Sequence, residues 1–130
     1  MIERVPDQRR VARERGGRWA EHVAAVFLML HGYHILARRH RTPYGELDLI
    51  ARRGKRLAFV EVKYRRTREA GEAALTPFQM QRMHTAAEHW LAKYPALADH
   101  EQGFDAVIVL PWKFPLLMRD ACQPVGYEQR

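Results

Sequence analysis

A chain of 130 residues with 47% hydrophobic content can close one apolar core and is too short for two domains of ordinary size. Its single cysteine, Cys122, excludes an intrachain disulfide, and no apolar run reaches the roughly 20 residues that a membrane-spanning helix needs. The net charge of +7 is concentrated, because residues 38–68 hold 11 Lys and Arg against 3 acids; such a field favours a polyanionic partner, nucleic acid first.

Residues 1–15 are arginine-rich and lack an apolar signal core. They predict a flexible basic tail, a cytoplasmic protein and no membrane partner. Residues 16–120 then form one domain and 121–130 a C-terminal tail. After Gly16-Gly17, residues Ala20, Val23, Ala24, Phe27 and Leu28 make one apolar helical stripe, ended by Gly32 at the C′ position. "YHILAR" predicts a first strand, and "RHRTP" a loop stopped by Pro43. "GELDLIAR" and "LAFVEVKY" predict two more strands with a short break at "RGKR". "RRTREAGEAAL" reads as a polar, mobile connection.

Thr76-Pro77 starts a second helix, with threonine as N-cap and proline at the first helical position. Met80, Met83, Ala87, Trp90, Leu91 and Tyr94 repeat at helical spacing until Pro95. "GFDAVIVL" predicts a buried strand, and the remainder leaves open a short edge strand before the tail. The order α-β-β-β-α-β predicts an α/β fold, a central mixed β-sheet flanked by α-helices.

The three acids of the basic segment are Glu46, Asp48 and Glu61. Glycine first in a Gly54-Lys55 loop matches a type II′ hairpin. Opposed residues then have numbers summing to 109: Asp48 faces Glu61, and Glu46 faces Lys63. Strand alternation places all four on one face, with directly opposed carboxylates about 5 Å apart. Such a pair repels unless a cation neutralises it, and hard oxygen ligands suit Mg²⁺. The alternative is a simple Glu46–Lys63 ion pair with solvated Asp48 and Glu61, or a slipped register that separates the faces.

Asp48, twelve intervening residues and Glu61-Val62-Lys63 resemble the PD-(D/E)xK core of restriction-endonuclease-like nucleases. Four phrases in order, "GRWAEHVAAVFLMLHGY", "GELDLIA", "FVEVKYR" and "FDAVIVL", resemble the YraN family of predicted endonucleases over about residues 16–110. The resemblance implies a restriction-endonuclease-like fold. It implies Mg²⁺ or Mn²⁺ held by Asp48, Glu61 and the Val62 carbonyl, with Lys63 acting on the attacking water and on phosphate charge. Glu21 stands where similar Holliday-junction resolvases carry a helix acid that completes metal binding; the competing role is a solvated acid favouring the helix dipole. Where relatives commonly have "TPxKQ", this chain has "TPFQM". Gln79 then either approaches the scissile phosphate or closes a Thr76-x-x-Gln79 capping box, and the capping role is the favoured expectation. His40 stands where asparagine is common, and Asp105 is a shared family residue expected to hydrogen-bond at a strand start.

The expected activity is metal-dependent hydrolysis of DNA phosphodiesters, with Glu46 as a further active-site acid and Lys63 as an electrostatic clamp. Arg38, Arg39, Arg41, Arg65, Arg66 and Arg68 are the expected backbone contacts. No base-reading element is visible, so selectivity for structure is expected over sequence. On a junction substrate a homodimer would supply two active sites. Two other classes remain: an inactive nucleic-acid-binding module of the same fold, and a factor whose basic segment meets an acidic protein.

Overall fold

The computed structural model describes residues 8–123. Helix α1 (Gln8–Leu30) leads into β1 (His34–Thr42), β2 (Gly45–Arg53) and β3 (Arg56–Tyr64). Helices α2 (Arg68–Ala73) and α3 (Pro77–Leu91) follow, then β4 (Glu101–Val109) and β5 (Leu116–Met118). The five strands form one mixed sheet in the order β1-β2-β3-β4-β5, in which only β3 and β4 run parallel. Parallel strands need a crossover, which α2 and α3 supply. No helix among the described residues is long and apolar enough to cross a membrane.

Each face of the sheet has its own apolar cluster. Ala20, Ala24, Ala25 and Leu28 of α1 pack on Leu49, Ala51, Ala58, Val60 and Val107. Met83, Ala86, Ala87 and Trp90 of α3 pack on Leu47, Ile50, Phe59, Phe104 and Ile108. The chain is therefore a helix–sheet–helix sandwich, the α/β architecture expected from the order of its elements.

Local signals place the helix ends. The Gly32 amide donates to Met29 and the Tyr33 amide to Leu28 (3.1 and 3.0 Å), with Gly32 at φ +86°. This is the Schellman pattern, and glycine adopts the left-handed C′ conformation without a Cβ penalty. At α3, the Thr76 hydroxyl accepts from the Gln79 amide at 3.2 Å, and Leu75 and Met80, at the N′ and N4 positions of a hydrophobic staple, both pack against the α3-side core.

Several expected boundaries move. Residues 8–15, assigned to the flexible tail, lie in α1, and residues 1–7 fall outside the described residues. "RHRTP" is strand up to Thr42, whose hydroxyl accepts from the amides of Tyr44 and Gly45, both at 3.1 Å, to build the turn. The connection after Lys63 contains α2, capped by Thr67. Helix α3 stops at Leu91, short of Pro95. Cys122, assigned to the C-terminal tail, is buried in the α3-side core, whereas residues 124–130 lie outside the described residues.

Gly71 makes α2 part of the packing. A Cβ added there would lie 2.5 Å from Ile108 Cγ2 on β4. Gly71→Ala is expected to destabilise the fold by about 1–3 kcal/mol through overpacking. Urea unfolding should show a lower midpoint at unchanged slope; an unchanged midpoint would mean that α2 moves aside at no cost.

Candidate active site

The β2–β3 hairpin has the register expected of it. Recorded partners run from Arg53–Arg56 to Leu49–Val60, and Gly54 has φ +59°. Beyond Leu49–Val60 the two strands part: β2 continues along β1 as far as Gly45, and β3 continues along β4 as far as Tyr64. Asp48 and Glu61 face each other at the crotch of this fork. The Asp48 carboxylate bridges it by accepting the Val62 amide at 2.8 Å.

The fork coincides with a break in alternation. Leu47 packs into the α3-side core and Leu49 into the α1-side core, although residues two apart in a regular strand share a face. Opposite Asp48 on β1, Arg39 has φ +50°, an uncommon conformation for a residue with a side chain. These paired irregularities aim Asp48 along the sheet, between β2 and β3. No ladder pair joins Asp48 to Glu61 or Glu46 to Lys63, which corrects the expected pairing, yet the four side chains still converge: Glu46, Asp48 and Glu61 line one cavity, and Lys63 Nζ lies 3.3 Å from Glu61. Glu46 pairs across to Arg41 on β1, and Lys63 pairs with Ile108 on β4.

Two groups of side chains meet at Asp48 instead. From α1 comes Glu21, and from the start of β2 comes Glu46; carboxylate oxygens of Glu21, Glu46 and Asp48 lie within 4.8 Å of one another. From the α3 side comes Glu61, only 6% exposed and hydrogen-bonded to Asp48. Glu61 Oε1 also accepts Gln79 Nε2 at 2.6 Å and stands 3.3 Å from Lys63 Nζ. A cavity of about 380 Å³ opens over Glu46, Asp48, Glu61 and Gln79.

The favoured capping-box role of Gln79 is likewise corrected. Only its backbone amide takes part in the cap, and its side chain turns to Glu61. The Thr76 hydroxyl caps the Gln79 backbone amide, and the Gln79 side-chain amide is left for the acid.

The carboxylates strain one another electrostatically. Burial, reinforced by the Asp48 charge, pushes Glu61 up to about 8. Burial also raises Asp48, against the opposing effect of the Val62 amide. Glu21 is pushed up to about 7, first by burial and then by Asp48, with Arg39 pulling the other way. Two buried acids this close resist ionising together, and both are raised in that direction.

Of the six expected phosphate contacts, Arg38, Arg39, Arg41, Arg65, Arg66 and Arg68 are all exposed. Arg39 pairs with Glu21 at 3.0 Å, and Arg68 with Glu72 at 2.8 Å. Arg38 lies 3.3 Å from His22 Nδ1, and Arg65 donates to the Tyr64 carbonyl. Arg39 is thus a partner of the acids before it is a partner of any ligand.

Asp105 lies within β4, away from the cavity. Its carboxylate takes two bonds from Arg56, at 2.6 and 2.9 Å, and one from the Asp120 amide at 2.8 Å. It ties the segment after β5 back to the sheet, which agrees with a hydrogen-bonding role. Sequence reasoning overlooked Arg82 and Phe78, which line the cavity beside Gln79. Helical spacing holds the signal for Arg82: Gln79 and Arg82 are i and i+3, hence neighbours.

Fold and site together define a class, a sandwiched mixed sheet with a carboxylate cluster, buried at Glu61 and open at Glu46, where two central strands part. The chain belongs to the UPF0102 family: the family described as "Uncharacterised protein family UPF0102" matches residues 20–109. It is similar to a "UPF0102 protein" of Rhodopseudomonas palustris (strain BisB5), with 51% identity over 85% of this chain and 84% of the relative. The "UPF0102 protein bll0669" of Bradyrhizobium diazoefficiens is 47% identical over 86% and 84% of the two chains. The "UPF0102 protein mlr4633" of Mesorhizobium japonicum is 46% identical over 93% and 96%. This is the YraN-like membership that the four sequence phrases suggest.

Proposed function

We propose that this chain is a divalent-cation-dependent endonuclease of the restriction-endonuclease-like superfamily, hydrolysing phosphodiester bonds in DNA by structure rather than sequence. One observation carries the reading: Asp48 is held in the fork by the Val62 amide, with oxygens of Glu21 and Glu46 within 4.8 Å. Hard oxygen donors crowded until their own protonation is favoured fit Mg²⁺ or Mn²⁺, which relieves the repulsion that burial magnifies. Asp48, Glu21 and Glu46 would hold the ion, with Glu61 and the Val62 carbonyl completing the set from β3. When bound, the ion supplies Lewis acidity and lowers the pKa of coordinated water.

The chain's own groups do the rest. Glu61 is anchored by Gln79 and Lys63, so its carboxylate keeps a fixed direction toward the cavity. The Lys63 ammonium is placed to stabilise negative charge on a phosphate entering beside Glu61. Exposed Arg41, Arg65 and Arg66 offer backbone contacts that set affinity without reading bases.

The test is incubation of the chain with branched and linear DNA plus Mg²⁺ or Mn²⁺, beside Asp48→Ala and Lys63→Ala. Metal-dependent nicking, lost in both variants and weakened steeply by salt, is the expected outcome. Salt-sensitive binding with no cleavage by any of the three would make the chain a binding module. No DNA affinity at physiological salt would overturn the nucleic-acid reading altogether.

A further inference from the structure

The mouth of the carboxylate cavity carries an aromatic ring that the fold does not use. Phe78, the second residue of α3, is 71% exposed, and it lines the same cavity as Asp48, Glu61 and Gln79. A lone exposed aromatic residue means little by itself. Its surroundings are more specific. The Arg82 guanidinium, one helical turn on, stands over the ring at 5.7 Å. Arg82 is fixed in turn by the β1–β2 turn, since its Nε donates to the Tyr44 carbonyl at 2.9 Å. A Cβ at Gly45 would come within 3.2 Å of that Nε, so the turn meets the guanidinium through a residue without a side chain. Among the described residues no carboxylate pairs with Arg82, although acids line the floor below. The Tyr44 ring itself turns to His89, with centroids 5.6 Å apart.

A flat ring under a positioned guanidinium, next to acids suited to a metal, matches the base and the phosphate of one nucleotide. We propose that Phe78 stacks an unpaired base and that Arg82 holds its neighbouring phosphate, so the substrate class is DNA with unpaired nucleotides at the cleavage point. This rests on the nuclease reading of the same cavity and narrows it. A base inside a continuous duplex offers its faces only to its stacked neighbours, so a ring on the cavity lip engages it only when it is splayed out or single-stranded. Stacking on an aromatic side chain tolerates any base, in keeping with selectivity for structure.

The experiment uses forked DNA carrying 2-aminopurine at successive unpaired positions, and a fully paired duplex of the same length, both without divalent cation. Fluorescence anisotropy gives affinity, and 2-aminopurine quenching reports stacking. Phe78→Ala is expected to weaken fork binding by about 5- to 150-fold and to abolish quenching, with duplex affinity unchanged. Phe78→Trp should retain both signals, and Arg82→Ala should lower fork affinity and the salt dependence together. Unchanged fork affinity and quenching in Phe78→Ala would overturn the proposal, as would an equal loss on duplex. The nuclease reading fails separately: Phe78-dependent quenching with no metal-dependent nicking leaves the stacking site standing in a protein that binds without cutting. Phe78-independent nicking does the reverse.

Discussion

Glu61→Gln is expected to give a protein that no longer cleaves and yet is more stable than its parent at pH 8. Glutamine imitates the protonated acid. Its oxygen still accepts from Gln79 and faces Lys63, and its amide still donates to Asp48. What it loses is the ability to ionise. In the parent, burial and then Asp48 raise Glu61 from 4.5 to about 8, so between those values the folded chain binds a proton that the unfolded chain has released. Stability therefore falls as pH rises through that window and is lowest above it. The same sign holds for Glu21, raised to about 7, over its own window. Removing the Glu61 contribution should stabilise the metal-free protein by about 4 kcal/mol at pH 8, or roughly 15 °C in Tm, and leave it nearly unchanged at pH 4.5. Cleavage should drop by about 10³-fold, the scale of several kcal/mol of lost transition-state stabilisation. Thermal scans from pH 4.5 to 9 check the first half, and a nicking assay the second. A variant equally destabilised at every pH would mean that Glu61 is an ordinary packing residue.

Asp105→Ala is expected to be the most damaging substitution outside the cavity, costing about 3–5 kcal/mol. The pair it breaks is enclosed, with side chains 11% exposed at Arg56 and 1% at Asp105. Truncating the acid leaves the nearly enclosed Arg56 guanidinium with only the longer contact to Asp120 Oδ1 at 3.5 Å, and leaves the Asp120 amide without its acceptor. The guanidinium also lies directly over Gly103, in space that any side chain there would occupy. Chemical denaturation reads the loss. Arg56→Met/Asp105→Leu should recover much of it, because an apolar replacement strands no charge. Equal damage from the single and double variants would show that the ion pair matters for shape rather than for charge.

The two outcomes differ in how far the sequence foretells them. The hairpin register was legible because Gly54-Lys55 is a strong turn signal and a two-residue loop leaves one pairing; Leu49 does face Val60. Thr76-Pro77 and Gly32 were legible because capping is local chemistry. The direction of Asp48 was not. Regular alternation is an assumption, and it fails where Arg39 takes a left-handed backbone that nothing about arginine announces. Gln79 was misread because one pattern satisfies both a capping box and a contact to Glu61, and only the fold decides where the amide turns. Helix α2 has six residues, too few for a period to show. The Arg56–Asp105 pair joins positions 49 apart, beyond any local rule.

Calorimetric titration of the chain with Mn²⁺ at pH 8 and pH 6 tests the fork most directly, beside Asp48→Asn. A cation site built on Asp48 predicts one saturable heat, weaker at pH 6 because Glu61 and Glu21 hold protons that the ion must displace, and absent from the variant. No saturable heat from the parent chain, or equal heat from Asp48→Asn, would contradict it.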